Sequence, residues 1–320
     1  MPPLTGQAAA LTRWLRERPF VLLDGGLATT LEAKGHDLRD PLWSARLLRD
    51  NPEAIRQVHR EFLQAGADCL VTASYQATLS GLERAGLSRE QAADALRLSV
   101  SLAAEAVAEF DSATGSRALV AASIGPYGAY LANGSEYVGD YQVTQASLAG
   151  FHQPRWEILS ESCDLLACET LPDVAEAEVL LDLLRQSPGV GAWVSFSCRD
   201  ETRIADGTPL VECAALCAES DQVLAVGINC SAPALIEPLI AEVHRGAPGK
   251  PVVVYPNSGE VYDPAGRDWQ PGSETPTLAA MAGTWWRAGA RLIGGCCRTG
   301  PDDIGELREA LTTAAGRESP

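Results

Sequence analysis

Eight short apolar runs recur along the chain, and each leads into a polar or Gly-rich turn. They are Phe20–Asp24, Cys69–Ser74, Ala118–Ile124, Leu165–Glu169, Ala192–Ser197, Val223–Asn229, Val252–Tyr255 and Leu292–Gly295. Apolar residues on both faces of a run suit a strand buried on both sides, as in a parallel sheet under helices. Between the runs lie segments with helical periodicity, at 52–63, 89–110, 141–161, 173–186, 210–219, 233–245, 276–288 and 302–314. Asp50 and Asn51 precede the first and Ser88 the second, all good N-cap residues. Ala-Gly-Ala-Asp (65–68) and Ala-Gly-Ala-Arg (288–291) read as a helix end, a glycine and the next strand.

Eight strands alternating with eight helices over 320 residues give about 40 residues per unit. That spacing predicts an α/β fold, a single (β/α)8 TIM barrel spanning residues 1–320 as one domain. A length of this size also suits two domains, and a doubly wound open sheet is the alternative topology. Eight strands and the lack of a Gly-x-Gly-x-x-Gly turn disfavour that alternative. The tail after Leu311 is polar and expected to fray.

Composition narrows the partners. The 25 Lys+Arg against 42 Asp+Glu leave a net charge of −17, which disfavours nucleic acid and anionic membranes. No apolar stretch approaches the length of a membrane span. The first twenty residues lack the charged-then-apolar order of a signal peptide, so a cytoplasmic protein is expected. A monomer or a small homo-oligomer acting on small molecules fits this profile.

A barrel of this kind builds its active site at the C-terminal ends of its strands. Three of the nine cysteines fall there: Cys230 after the sixth run, and Cys296 and Cys297 after the eighth. Three thiolates and one open position suit a catalytic Zn2+. A strained vicinal disulfide and three buried core thiols are the competing readings. The other six cysteines read as core, and the four histidines show no metal-ligand spacing. Asp24 and Glu169 are isolated acids at the ends of apolar runs, where a charge is costly without a partner. Helix capping or an Arg partner would explain either acid alone. Together they suit the ammonium of an amino acid, with the N–H groups of Gly25 and Gly26 on its carboxylate. The loop 125–141 holds four Tyr and two acids, a pattern compatible with a lid over a cation or with an ordinary surface loop. The loop after the seventh run, 255–260, also faces the barrel mouth. No Ser-His-Asp order, Walker motif or Cys-x-x-Cys pattern is present.

Asp-Gly-Gly at 24–26, Gly-x-Asn-Cys at 227–230 and Gly-Gly-Cys-Cys at 294–297 together resemble the homocysteine S-methyltransferase family. The likeness runs from about residue 18 to 312. Three further stretches, 72–78, 123–137 and 255–260, are similar to the S-methylmethionine-using enzymes of that family. That branch usually has Trp-Asp soon after the last of these, where this chain has Val261-Tyr262-Asp263, keeping an aromatic residue and the acid. The resemblance implies zinc on Cys230, Cys296 and Cys297, the proposed catalytic set, with homocysteine sulfur at the fourth position. It implies that Asp24 and Glu169 hold the homocysteine ammonium, and that Gly25, Gly26, Thr72 and Ser74 line its carboxylate side. The expected activity is methyl transfer from a sulfonium, S-methylmethionine or S-adenosylmethionine, to homocysteine. A betaine donor, a selenocysteine acceptor, or a non-catalytic zinc or thiol sensor are the rival readings.

Overall fold

The computed structural model describes residues 3–38, 42–263, 268–270 and 276–318. Eight parallel strands lie where the apolar runs predict them: β1 (Val21–Leu22), β2 (Cys69–Val71), β3 (Leu119–Ile124), β4 (Leu165–Leu171), β5 (Gly191–Phe196), β6 (Val223–Asn229), β7 (Val252–Tyr255) and β8 (Ala290–Ile293). From β2 to β8 each strand pairs in parallel with the next, and β8 pairs with β1 through Val21 and Leu292. The ring closes between β1 and β2 by a single bridge, Leu23 to Cys69, with the Asp24 N–H donating to the Cys69 carbonyl at 3.1 Å. The fold is therefore the TIM barrel expected from the alternation.

Every residue of β3 to β7 is buried, because the sheet has side chains of the barrel interior on one face and helices on the other. Gly227 in β6 meets the Val253 carbonyl of β7 so closely that no Cβ fits there. The first strand is shorter than its apolar run. The Asp24 carboxylate accepts the Val71 N–H at 2.9 Å, so a side chain replaces the strand ladder where the barrel opens into its mouth.

The expected helices form, and their ends follow local chemistry. Asn51 caps the helix Pro52–Gln64 by accepting the Ala54 N–H at 3.3 Å. Ser88 and Gln91 make a reciprocal capping box at the start of Arg89–Thr114. Gly66 (φ +102°) and Gly289 (φ +116°) take the left-handed conformation at the two Ala-Gly-Ala turns. Short helices beyond those expected form at Leu27–Ala33, Leu47–Asp50, Leu79–Arg84 and Tyr127–Leu131, and two larger features also depart from expectation. The last helix runs from Pro301 to Glu318 rather than fraying after Leu311. An additional helix, Gly6–Glu17, lies across the N-terminal ends of the strands. Its Gln7 accepts the Val120 N–H of β3 at 2.5 Å and donates its own backbone N–H to Asp164, while Thr5 donates to the Gly189 carbonyl. Ala8, Leu11 and Trp14 form its buried face, which seals the bottom of the barrel and leaves the other end for the site.

A short antiparallel ribbon pairs 261–263 with 268–270 beyond β7, and the Val261–Asp263 segment of the branch comparison lies in it. Among the described residues no helix is long and apolar enough to cross a membrane.

Candidate active site

A cavity of about 220 Å³ opens at the C-terminal ends of the strands. Eight of the nine residues singled out from sequence line it: Asp24, Gly25, Gly26, Thr72, Glu169, Cys230, Cys296 and Cys297. Ser74 stands behind them. Its hydroxyl lies 2.7 Å from that of Thr72 and donates to the Ser123 carbonyl at 2.8 Å, so it braces the wall.

The three cysteine sulfurs lie within 4.8 Å of one another, and Cys230 Sγ is 3.4 Å from Cys297 Sγ. All are free thiols. Zn–S bonds of about 2.3 Å put tetrahedral sulfurs about 3.8 Å apart, so the trio is spaced to hold one ion of that kind. No other group of His, Cys, Asp or Glu among the described residues is gathered this way. Contacts from Cys296 and Cys297 draw the Cys230 thiol well below the usual range, while their contact with Cys230 pushes the other two up. Of the three, Cys230 is the sulfur favoured as thiolate.

Backbone stitching holds the trio. Cys230 N–H donates to the Tyr255 carbonyl at 3.1 Å and Cys296 N–H to Pro256 at 2.8 Å, while Ser258 N–H reaches the Cys297 carbonyl at 3.2 Å. The loop after β7 therefore ties the end of β6 to the turn after β8. Cys230 itself sits at φ +49°, a strained conformation for a residue with a Cβ. Asn229 adds a side-chain tie, accepting the Thr170 N–H and donating to the Thr170 hydroxyl, both at 2.7 Å.

Asp24 and Glu169 face the same cavity, and neither pairs with a Lys, Arg or His among the described residues. Ser123 donates to one Glu169 oxygen, and the Tyr255 hydroxyl donates to the other at 2.9 Å. Burial nevertheless raises Glu169 to about 7, and burial with the nearby Glu169 charge raises Asp24 well above the usual carboxylate range. Two buried acids held up in this way would gain from a cation between them. Gly26 has a different job from the one its motif suggests. Its N–H donates to the Thr299 carbonyl at 2.9 Å, and a Cβ there would lie 2.6 Å from the Cys296 carbonyl. Gly26 lets the segment after β1 and the cysteine turn touch, and Gly25 lines the cavity beside it.

The homocysteine S-methyltransferase family model matches residues 21–311. The chain belongs to that family. It is 48% identical over 295 residues to homocysteine S-methyltransferase YbgG of Bacillus subtilis, covering 90% of this chain and 93% of the relative. It is 47% identical over 298 residues to homocysteine S-methyltransferase of Escherichia coli, covering 92% and 96%. The solved structure of the homocysteine methyltransferase MmuM from Escherichia coli, in a metallated form, superposes with a TM-score of 0.85 at 45% identity, covering 93% of this chain and 99% of that one.

In this member of the family, the loop 125–141 that the sequence offers as a lid supplies Glu136 and Tyr137 to the cavity, while Trp43, Gln76 and Arg298 carried no role in the sequence. Trp43, Tyr75, Gln76, Glu136, Tyr137 and Arg298 are among its further lining residues. Trp43 and Tyr75 meet edge to face at 6.2 Å, and the Tyr137 hydroxyl lies 3.3 Å from Cys230 Sγ. Burial raises Glu136 to about 7. Arg298 pairs with Glu260 at 2.5 Å at the mouth. Of the four tyrosines in the loop 125–141, only Tyr137 lines the cavity. Tyr127 and Tyr130 pack on Phe151, and Tyr141 packs on Tyr127, the ordinary scaffold role.

Proposed function

We propose that this chain transfers a methyl group from a sulfonium donor, S-methylmethionine first among them, to the sulfur of homocysteine. The observation that carries the reading is the convergence, in one cavity, of three cysteine sulfurs and two buried acids that have no cationic partner among the described residues. Cys230, Cys296 and Cys297 would hold zinc. Their soft sulfur set and mutual spacing fit that ion. Bound there, zinc would supply a Lewis acid that keeps the homocysteine sulfur as thiolate at neutral pH, where a free thiol is mostly protonated.

The protein's own groups do the rest by placement. Asp24 and Glu169 take the homocysteine ammonium, while Gly25, Gly26 and Thr72, with Ser74 behind it, shape the carboxylate side. The rings of Trp43, Tyr75 and Tyr137 and the Glu136 carboxylate, which line the same cavity, form a donor wall that suits a sulfonium cation. Reaction then joins the homocysteine sulfur to the donor methyl as the old S–CH3 bond breaks, and its electron pair stays on the departing sulfur. With S-methylmethionine both products are methionine. The leaving thioether is neutral, so no general acid is required. Catalysis is alignment of two sulfurs across one carbon in a site drier than water. We take residues 1–320 as one catalytic domain working on small molecules.

The test is methionine formation from homocysteine with S-methylmethionine, S-adenosylmethionine and betaine offered separately. A sulfonium is expected to be the donor. Turnover with betaine alone, or homocysteine binding without turnover on any donor, would overturn the reading.

A further inference from the structure

Beneath the loop that follows β3 lie three charged or polar side chains that the chemistry above does not use: His152, Arg155 and Glu176. His152 and Glu176 are fully buried and Arg155 is 1% exposed. His152 and Arg155 sit one turn apart on the helix Gln145–Ser162, and Glu176 is in the first turn of Val174–Arg185. His152 Nε2 is 2.6 Å from Glu176 Oε1, and Arg155 Nη2 is 2.8 Å from His152 Nδ1. A guanidinium only donates, so Nδ1 accepts and the proton of a neutral imidazole sits on Nε2, pointing at the carboxylate. The result is a linear chain from Arg155 through His152 to Glu176.

Both ends of that chain grip the loop. Arg155 Nη2 also donates to the Gly125 carbonyl, and Glu176 Oε1 accepts the Tyr127 N–H at 2.5 Å. The gripped residues touch the cavity wall. A Cβ on Gly125 would lie 2.5 Å from the Tyr75 carbonyl and 2.7 Å from its ring. A Cβ on Gly128 would lie 2.5 Å from the Glu136 nitrogen. Tyr75 therefore rests on the gripped backbone, and the Glu136–Tyr137 segment is packed against the same turn. Arg155 Nε and Nη1 have no acceptor among the described residues. Burying charge with incomplete pairing is costly, and apolar packing of equal volume would hold a core more cheaply. Such a cost suits a device that fixes geometry.

We propose that His152, Arg155 and Glu176 are positioning residues, a buried clamp that sets the methyl-donor wall of the cavity through Tyr75, Glu136 and Tyr137. His152, Arg155 and Glu176 make no hydrogen bond to the cysteine trio, Asp24 or Glu169, and the clamped wall meets a cysteine at Tyr137, 3.3 Å from Cys230 Sγ, so the larger effect falls on the donor. The clamp's substrate assignment rests on the donor wall proposed above.

The experiment compares wild type with Glu176→Gln and Gly125→Ala, all zinc-loaded. Glu176→Gln removes the charge that grips Tyr127, and Gly125→Ala pushes Tyr75 directly without disturbing a buried charge. The KM for S-methylmethionine is expected to rise about tenfold or more in both, given what small misplacement costs an aligned reaction. The homocysteine KM should stay within about twofold and zinc content should be unchanged. A donor KM that stays at the wild-type value, or equal losses for both substrates, would overturn the clamp. If Glu176→Gln does not fold, Gly125→Ala decides on the same criterion. If wild type uses no sulfonium, the donor reading fails instead. Hydrogen exchange without substrates then decides the clamp, which requires faster exchange across 125–141 in the variants and an unchanged barrel.

Discussion

Replacing Glu169 by glutamine should weaken amino-acid binding while strengthening the fold. The substitution keeps the shape of a fully enclosed side chain and removes one of two acids proposed to hold the substrate ammonium. A hydrogen bond to a charged group contributes about 1.5–3 kcal/mol, so the Kd should rise about 10- to 150-fold. Methionine is the ligand to measure, because it carries the same ammonium without a thiol that titrates. Glu169 is held near 7 by burial, so it is mostly neutral at pH 6 and mostly ionised at pH 8. Wild-type affinity for methionine should therefore improve about tenfold across that interval. In Glu169→Gln the part of this dependence that Glu169 carries should disappear.

The stability effect has the opposite sign. A glutamate raised from the ordinary 4.5 to about 7 favours the fold while neutral, and that advantage is lost as pH rises through about 7. The difference amounts to about 3 kcal/mol at pH 8. Metal-free Glu169→Gln should then unfold at higher urea concentration than wild type at pH 8, and at a similar one at pH 4. Calorimetric binding of methionine and urea titrations at both pH values give the answer. An unchanged methionine Kd at pH 8 would refute the ammonium role, and a less stable variant at that pH would refute the cost of the buried charge.

Two further substitutions probe the frame around the site. Gly26→Ala places a Cβ 2.6 Å from the Cys296 carbonyl, so it should weaken zinc affinity about 10- to 100-fold through the displaced cysteine turn. Competition with a chromogenic chelator measures this, and wild-type affinity would contradict it. Asn51→Ala removes the cap of Pro52–Gln64 and should cost about 1 kcal/mol in urea unfolding with kcat unchanged.

The barrel was legible because a strand buried on both faces must be apolar throughout, and β3 to β7 are. The floor and the donor wall were harder to read. Helix Gly6–Glu17 carries Ala8, Leu11 and Trp14 at helical spacing, but its place under the barrel depends on partners more than a hundred residues away, such as Val120. Asp24, Glu169 and the three cysteines stood out as polar or reactive groups closing apolar runs. Trp43, Glu136 and Tyr137 lie in single 3-10 turns and Tyr75 in a loop, segments too short for a period to mark the direction of a side chain. Contacts such as Gly125 on Tyr75 bring them to the cavity. His152 stands in no metal-ligand spacing and no Ser-His-Asp order, so nothing in the sequence marks it. Its partner Glu176 lies 24 residues away on another helix.

The central claim is that Cys230, Cys296 and Cys297 hold a zinc ion on which methionine formation depends. Zinc content and methionine formation from homocysteine and S-methylmethionine should be measured in the same samples, for wild type and Cys230→Ser, as purified, after chelation and after zinc is restored. Wild type should carry about one zinc per chain, lose it and its activity together, and regain both. Cys230→Ser should hold little zinc and make little methionine. Full activity in zinc-free protein, or in Cys230→Ser without zinc, would contradict the account.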